Sequence, residues 1–153
     1  MIQARRGHLP EAEAAMRKGA GHSPELWLGA LLPWVMQLLD GRREEAMKEF
    51  LAEDEATSRD AGLALVNHAM GKQAKSDAAL NRLINEGTQS WPYGIATTFG
   101  YRAEKNKAFE WLQKAYVARD SDLGMYVLGD PLLATLHEDR RYKALLKKMN
   151  LPE

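Results

Sequence analysis

Hydrophobic residues recur every three or four positions along most of the chain, a spacing typical of amphipathic α-helices. Long stretches that alternate between apolar and polar residues, as β-strands do, are absent from the sequence. Short turn clusters such as GHSP and QSWPYG separate the helical segments. The pattern predicts an all-α protein with about nine helices. Its clearest apolar positions are Leu63, Val66 and Met70; Leu80, Leu83 and Ile84; Phe109, Leu112, Ala115 and Tyr116; and Tyr142, Leu145, Leu146 and Met149.

The helical segments also repeat in pairs. The segment GHLPEAEAAM aligns with GRREEAMKEF: each has a small turn residue, an alanine five positions later, and a large apolar residue four positions after that. The same frame returns from Ala74 and from Ala103. The alanines of the four units lie 34, 33 and 29 residues apart, which indicates a repeat of about 34 residues with two helices per unit. These alanines are Ala12, Ala46, Ala79 and Ala108.

At these positions the chain resembles the tetratricopeptide repeat (TPR) family. The units of this family are helix pairs with a small residue at the turn and an alanine where the two helices approach most closely. The resemblance covers residues 4–120, about 3.5 repeats, and implies a right-handed α-solenoid of antiparallel helix pairs. Residues 121–153 are then expected to form a C-terminal cap, so that residues 1–153 make one domain.

The C-terminal segment has the pattern expected of such a cap. A stack of helix pairs leaves an apolar face on its last unit, and an amphipathic terminal helix can cover it. Asp130 before Pro131 marks a helix start, because the carboxylate can cap free amides and proline lacks an amide hydrogen. The alternative is that the last helix docks on a partner. It combines an apolar stripe with the cations Arg140, Arg141, Lys143, Lys147 and Lys148.

The end of the chain carries a second resemblance. Residues 106–152 are similar to the C-terminal end of repeat regions in bacterial multidomain regulators, where such regions follow adenylate cyclase, protein kinase or winged-helix DNA-binding modules. The similarity lies in an Asp-Pro turn, an Asp-Arg-Arg-Tyr helix and a Leu-Pro stop. Residues 1–6 are too few to supply the first helix of the first unit. Two interpretations follow: the sequence is a fragment of a longer chain, or another molecule covers the exposed face of the remaining helix of that unit. We expect a fragment, because the end segment that this chain resembles usually follows other modules.

Composition narrows the classes of function. Lys plus Arg and Asp plus Glu both number 21, so the formal net charge is zero and nucleic acid is not an expected partner. The absence of cysteine excludes disulfides and thiolate metal sites and fits a reducing compartment. The longest apolar stretch, residues 26–39, contains Pro33 and is shorter than the roughly 20 residues that span a bilayer. We expect a cytoplasmic protein without a membrane span.

No motif in the sequence predicts catalysis. The segment GKQAKSD lacks the second glycine of a phosphate-binding loop and the hydroxyl residue after its lysine, and no GxSxG elbow occurs. No two histidines lie three or four residues apart, the spacing that places two metal ligands on one helix face. We therefore expect neither an enzyme nor a cofactor or metal site. The histidines are His8, His22, His68 and His137.

The expected function is protein or peptide binding. In a TPR stack, the first helix of each pair lines the concave inner face, where partners bind. The alternative function is a C-terminal regulatory or assembly region of a multidomain signalling protein (cyclase, kinase or transcription regulator) with no activity of its own. The inner-face residues implied by the resemblance are Leu28, Leu31, Val35, His68, Lys72, Tyr93, Thr97 and Tyr101.

The predicted helix at residues 26–39 is apolar almost all round, so it must be buried on more than one side. Two interpretations remain open at this stage. The helix is internal to the repeat array, or it forms an open apolar groove for a peptide, a partner domain or a second copy. The second interpretation predicts a homo-oligomer assembled through the N-terminal helices.

Overall fold

The computed structural model describes residues 35–85 and 91–153. Within these residues the secondary structure is helical and no strand is present, which confirms the all-α prediction for this part of the chain. Residues 35–39 are helical. They are followed by α1 (Arg43–Leu51), α2 (Ala56–Ala69), α3 (Gln73–Asn85), α4 (Pro92–Tyr101), α5 (Lys105–Val117), α6 (Ser121–Tyr126), a 3-10 helix (Pro131–Leu136) and α7 (Arg140–Lys148).

The chain divides into two compact units, and the boundary between Glu49 and Phe50 falls inside α1. In the described part of the first unit, residues 35–49, the buried apolar side chains are Val35, Leu38 and Ala46. The predicted helix at residues 26–39 lies mostly outside the described residues, so its exposure stays a prediction.

In the second unit, α2 packs on α3 and α4 packs on α5. Residues 70–72 and 102–104 make the two connections, and turns this short place neighbouring helices antiparallel. Further contacts join α2 and α3 to α4, so one hairpin lies directly on the next. A continuous core results. Its members include Ala61, Ala64, Leu80, Leu83, Ala96, Phe99, Leu112 and Ala115.

The hairpin turns share one pattern of backbone hydrogen bonds. At the end of α2, the amide of Gly71 donates to the carbonyl of His68 and the amide of Lys72 donates to the carbonyl of Asn67. This pair of bonds is a Schellman motif, which satisfies the last carbonyls of a helix and requires a left-handed residue. Gly71 accordingly has a φ of 72°. The same bonds recur around the other positive-φ residues, Gly41, Ala103, Arg119 and Asn150.

The register of the α2–α3 hairpin differs from the one that the sequence predicts. The predicted turn residue, Ala74, lies inside α3, and the left-handed turn residue is Gly71. Five residues after it comes Ser76, which is fully buried and donates its hydroxyl to the carbonyl of Ala64 at 2.6 Å. Serine therefore occupies the close helix approach expected for alanine, and Ala79 lies about one turn further along α3. The spacing of the alanines in the sequence therefore did not predict this register.

Glycine allows α1 and α2 to meet within the second unit. The ring of Phe50 is fully buried and lies against the backbone of Gly62. A Cβ atom at position 62 would lie 1.7 Å from Cδ1 of Phe50. Because such a separation is far inside van der Waals contact, glycine is the residue that accommodates this ring.

The C-terminal segment packs along α4. The hydroxyl of Thr135 donates to the carbonyl of Gly100 at 2.7 Å, and Leu133 and Leu136 of the 3-10 helix are fully buried. A Cβ atom at Gly100 would lie 2.9 Å from Cδ2 of Leu133, so the missing side chain allows the two elements to approach. The buried face of α7 consists of Tyr142, Leu145 and Leu146.

Two aspartates that follow α5 fix the starts of three helices. Asp120 accepts a hydrogen bond from the amide of Tyr93 at 3.1 Å and another from the amide of Asp122 at 3.0 Å. It therefore caps α4 and α6 together. Asp130 caps the 3-10 helix through the amide of Leu132 at 2.9 Å, and it accepts the hydroxyl of Tyr93 at 2.6 Å. These bonds attach α4 to the C-terminal segment.

Replacing Ala103 by glycine is expected to stabilise the protein. Ala103 has a φ of 59°, a conformation that costs residues with a Cβ atom about 1–2 kcal/mol and costs glycine little. After subtracting the larger backbone entropy of unfolded glycine, we expect Ala103→Gly to raise the free energy of unfolding by about 0.5–1 kcal/mol in urea titrations. The matched control is Ala78→Gly on the exposed side of α3, which should lower it by about 1 kcal/mol. A loss in both variants would contradict the left-handed turn.

Removing the hydroxyl of Tyr93 is expected to destabilise the protein in a pH-dependent way. Burial raises the pKa of Asp130, and the Tyr93 hydrogen bond opposes that rise. We expect Tyr93→Phe to cost about 1.5–3 kcal/mol at neutral pH, because it leaves a buried carboxylate short of a donor. The raised pKa of Asp130 should rise further. The folded state then binds this proton more tightly than the unfolded state, so the loss should be smallest in acid and grow as the pH rises.

Chemical denaturation of Tyr93→Phe across the acid range measures this effect. The double variant Tyr93→Phe/Asp130→Asn removes the ionisable group, so its stability relative to Asp130→Asn should no longer depend on pH in that range. A Tyr93→Phe loss that is constant between acid and neutral pH would show that the Asp130 charge plays no part.

Candidate partner-binding site

A groove of ≈ 660 Å³ opens between α3 and α5, next to the C-terminal end of α4. Apolar side chains form part of its wall, and charged side chains stand beside them. Because it combines both kinds of contact within the second unit, it is the strongest candidate for a binding site among the described residues. It is lined by Gln73, Asp77, Leu80, Asn81, Ile84, Phe99, Arg102, Glu104, Lys107, Glu110 and Trp111.

Arg102 organises the polar side of the groove. Its side chain is only 5% exposed, and Nη2 lies 2.6 Å from Asp77 Oδ1 and 2.6 Å from Glu104 Oε1. Nη1 donates to the hydroxyl of Ser76 at 3.2 Å. A buried guanidinium needs such partners, since an unpaired buried charge is strongly destabilising. Its position is therefore fixed by residues from α3 and from the α4–α5 turn.

The rim of the groove carries more negative than positive charge. The side chains of Asp77 and Glu110 are 48% and 61% exposed, and that of Glu104 is 30% exposed. Hydrogen bonds from Arg102 lower the pKa of Asp77, and a hydrogen bond from a neighbouring lysine lowers that of Glu110, so both are ionised at neutral pH. The exposed cation of the lining is Lys107, whose Nζ lies 3.4 Å from Glu104 Oε2. The outer rim therefore favours a cationic group.

The structure brings two of the sequence-predicted residues together. The rings of His68 and Tyr101 are edge to face, with centroids 5.9 Å apart. Nδ1 of His68 lies 3.2 Å from Oε1 of Gln73, whose Nε2 donates to Asp77 at 3.0 Å. This pair therefore borders the groove through Gln73. Lys72, in the adjoining turn, is exposed.

The other predicted residues lie elsewhere. Tyr93 and Thr97 are buried in the second unit, so neither side chain can meet a partner while the fold is intact. The reason is that other elements pack on this part of α4: the hydroxyl of Tyr93 donates to Asp130 in the C-terminal segment. The hydroxyl of Thr97 is satisfied within α4, where it donates to the carbonyl of Gly94. Val35 is buried in the first unit. Leu28 and Leu31 lie outside the described residues.

Sequence analysis missed the residues that line the groove. Asp77 and Arg102 are 25 positions apart and belong to different hairpins, so no local pattern connects them. One feature of the sequence was relevant. Asp77 in α3 and Lys107 in α5 each lie on a polar helix face next to apolar core positions. That feature indicates amphipathic helices and cannot identify which polar faces meet.

The part of the chain that the structure describes holds neither a candidate metal site nor a membrane-spanning helix. Residues 35–85 and 91–153 contain no group of three or more His, Asp or Glu side chains placed to hold a metal ion. None of the helices formed by these residues has the length and apolar character needed to cross a bilayer. Comparison with known proteins finds no matching family model, no matching curated protein and no matching solved structure.

Replacing Arg102 by glutamine is expected to raise the pKa of Asp77. The lowered pKa of Asp77 depends first on its hydrogen bond from Arg102, with a further contribution from the charge of Lys107. Carbon-13 NMR titration of the carboxyl groups measures this pKa directly. Lys107→Gln is the matched control and should cause a smaller rise. An unchanged Asp77 pKa in Arg102→Gln would mean that the ion pair does not form in solution.

Proposed function

We propose that the chain is a TPR-like repeat protein that acts as a protein–protein interaction scaffold. Two features support a repeat of this kind. The α2–α3 and α4–α5 hairpins use the same Schellman turn, and each buries a small residue, Ser76 or Ala108, five positions after its left-handed residue. These features support a solenoid, an architecture in which helix hairpins stack in series and whose extended surfaces suit protein partners.

The α3–α5 groove is the surface at which we expect the partner. The observation that carries this proposal is that exposed Asp77 and Glu110 stand beside apolar walls around a fixed, buried Arg102. The accessible part of the walls includes the half-buried Trp111 and Ile84, and aromatic residues are enriched where proteins bind each other. Because the ion pairs of Arg102 hold the groove open in one shape, little ordering is required on binding.

The charges of the rim select the type of partner. Asp77 is paired with Arg102 at 2.6 Å and Glu110 with Lys114 at 2.8 Å, and both acidic side chains are ionised and substantially exposed, whereas Arg102 is buried. We therefore propose a partner segment in which a lysine or arginine lies next to a large apolar side chain. The apolar side chain packs against the groove wall, and the cation lies near the carboxylates. The His68–Tyr101 pair extends the contact surface along the end of α2.

A labelled peptide with a central leucine flanked by lysines is the probe for this proposal. In NMR titrations it should shift the indole signal of Trp111, assigned with Trp111→Phe, and the backbone amides of α3 and α5. The double variant Asp77→Asn/Glu110→Gln should weaken binding by about three- to tenfold, since exposed ion pairs contribute up to about 1 kcal/mol each.

The matched control is Glu138→Gln/Glu153→Gln, which removes the same charge from exposed positions outside the groove lining. This control should bind the peptide as tightly as the unmodified protein. Equal weakening in both double variants would indicate a general charge effect. Failure of the unmodified protein to bind the peptide would reject the proposed partner chemistry.

A further inference from the structure

A second groove, of ≈ 280 Å³, lies between α5 and α7 and differs from the first in its chemistry. Its inner surface is mainly apolar, and its charged lining residues are both cations. No acidic residue belongs to the lining. The lining consists of Phe109, Leu112, Gln113, Arg141, Ala144, Leu145 and Lys148.

The two cations are held in place by aromatic rings. The guanidinium of Arg141 lies 4.3 Å from the ring centroid of Phe109, and Nζ of Lys148 lies 4.3 Å from that of Tyr116. Arg141 also donates to Asn106 at 2.8 Å and is paired with Asp139 at 3.0 Å. Cation–π contacts of this kind restrict flexible side chains while leaving their charge in water. Each side of the groove therefore has a cationic side chain that is already positioned, with the charge of Arg141 partly offset by Asp139.

The positive charge extends along the outer face of α7. This helix contains five cationic residues and no acidic residue, although the whole chain has a formal net charge of zero. Its cations are all exposed, while its apolar side chains Leu145 and Leu146 are buried. Asp139 is paired with Arg141 at 3.0 Å and Glu138 lies 3.8 Å from Lys143, so five cations stand against two acidic residues on this surface. The excess of positive charge attracts anions.

We propose that the α5–α7 groove binds an acidic segment of another protein, in which one apolar side chain is flanked by Asp or Glu residues. The apolar side chain would contact the half-buried Phe109 and the exposed Ala144, and the flanking carboxylates would meet Arg141 and Lys148. The groove is large enough for a single apolar side chain. A ligand is therefore selected by having one apolar residue at its centre and acidic residues on both sides. This site does not depend on the function proposed for the α3–α5 groove.

The same geometry argues against the two other polyanions that a cationic helix attracts. Single-stranded nucleic acid binds on aromatic faces, but Arg141 and Lys148 cover the faces of Phe109 and Tyr116. Binding to an anionic membrane by an amphipathic helix requires an outward apolar face that can enter the lipid. The apolar face of α7 is turned inward against the core.

Fluorescence anisotropy with defined probes tests the proposal. The first probe is a labelled peptide of Asp and Glu around a central leucine, and the second is the same peptide with serine in place of leucine. The first should bind at least about tenfold more tightly. The variant Arg141→Gln/Lys148→Gln should weaken that binding about tenfold, and Ala144→Trp, which fills the groove without changing charge, should also weaken it.

The matched control is Lys48→Gln/Lys75→Gln, which removes two exposed lysines outside the groove lining and should leave binding unchanged. Circular dichroism establishes that each variant is folded, and Ala144→Trp provides a second route if the charge variant is not. Three results would overturn the proposal: equal affinity for the two peptides, equal weakening of binding in the lysine control and in the groove variants, and no binding of either peptide. So would tighter binding to single-stranded DNA or to phosphatidylserine vesicles than to the acidic peptide.

Discussion

One buried guanidinium fixes how the second hairpin lies on the first. Arg102 follows α4 directly, yet it bonds to Ser76 and Asp77 on α3 and to Glu104 at the start of α5. The hydroxyl of Ser76 in turn donates a hydrogen bond to the carbonyl of Ala64, which connects Arg102 to α2. Apolar packing alone tolerates small shifts between helices, whereas a paired buried charge tolerates few, because a shift would break the bonds that Nη1 and Nη2 of Arg102 make. The shape of the α3–α5 groove therefore follows from the same interaction that aligns the hairpins.

Much of the helical architecture follows from local sequence. Apolar residues every three or four positions predict helices, and the helical segments of the described residues match that prediction. The α2–α3 register was not predictable from an alanine pattern, because Ser76 fills the alanine position by bonding its hydroxyl to a backbone carbonyl. A serine can replace alanine there at little cost only if that carbonyl is within reach, which the sequence alone does not reveal.

The candidate site was less predictable than the fold. Tyr93 has the spacing of an inner-face residue, but its side chain is buried. Its amide donates to Asp120 and its hydroxyl donates to Asp130, two residues that follow α5 in the chain. The grooves depend on pairs of helices that meet only in three dimensions. α5 borders both, with Lys107 and Glu110 on one side and Phe109 and Gln113 on the other. Although the formal net charge of the chain is zero, the two grooves beside α5 differ in the sign of their exposed charge.

The contact between Phe50 and Gly62 has a consequence for recognising related sequences. Because a Cβ atom at position 62 would overlap the buried ring, the two positions cannot vary independently. A homologue with alanine or serine at the equivalent of Gly62 should carry a smaller side chain at the equivalent of Phe50. Joint variation at these two sites, twelve positions apart in the chain, would thus identify distant members of the lineage even where the alanine repeat has been lost.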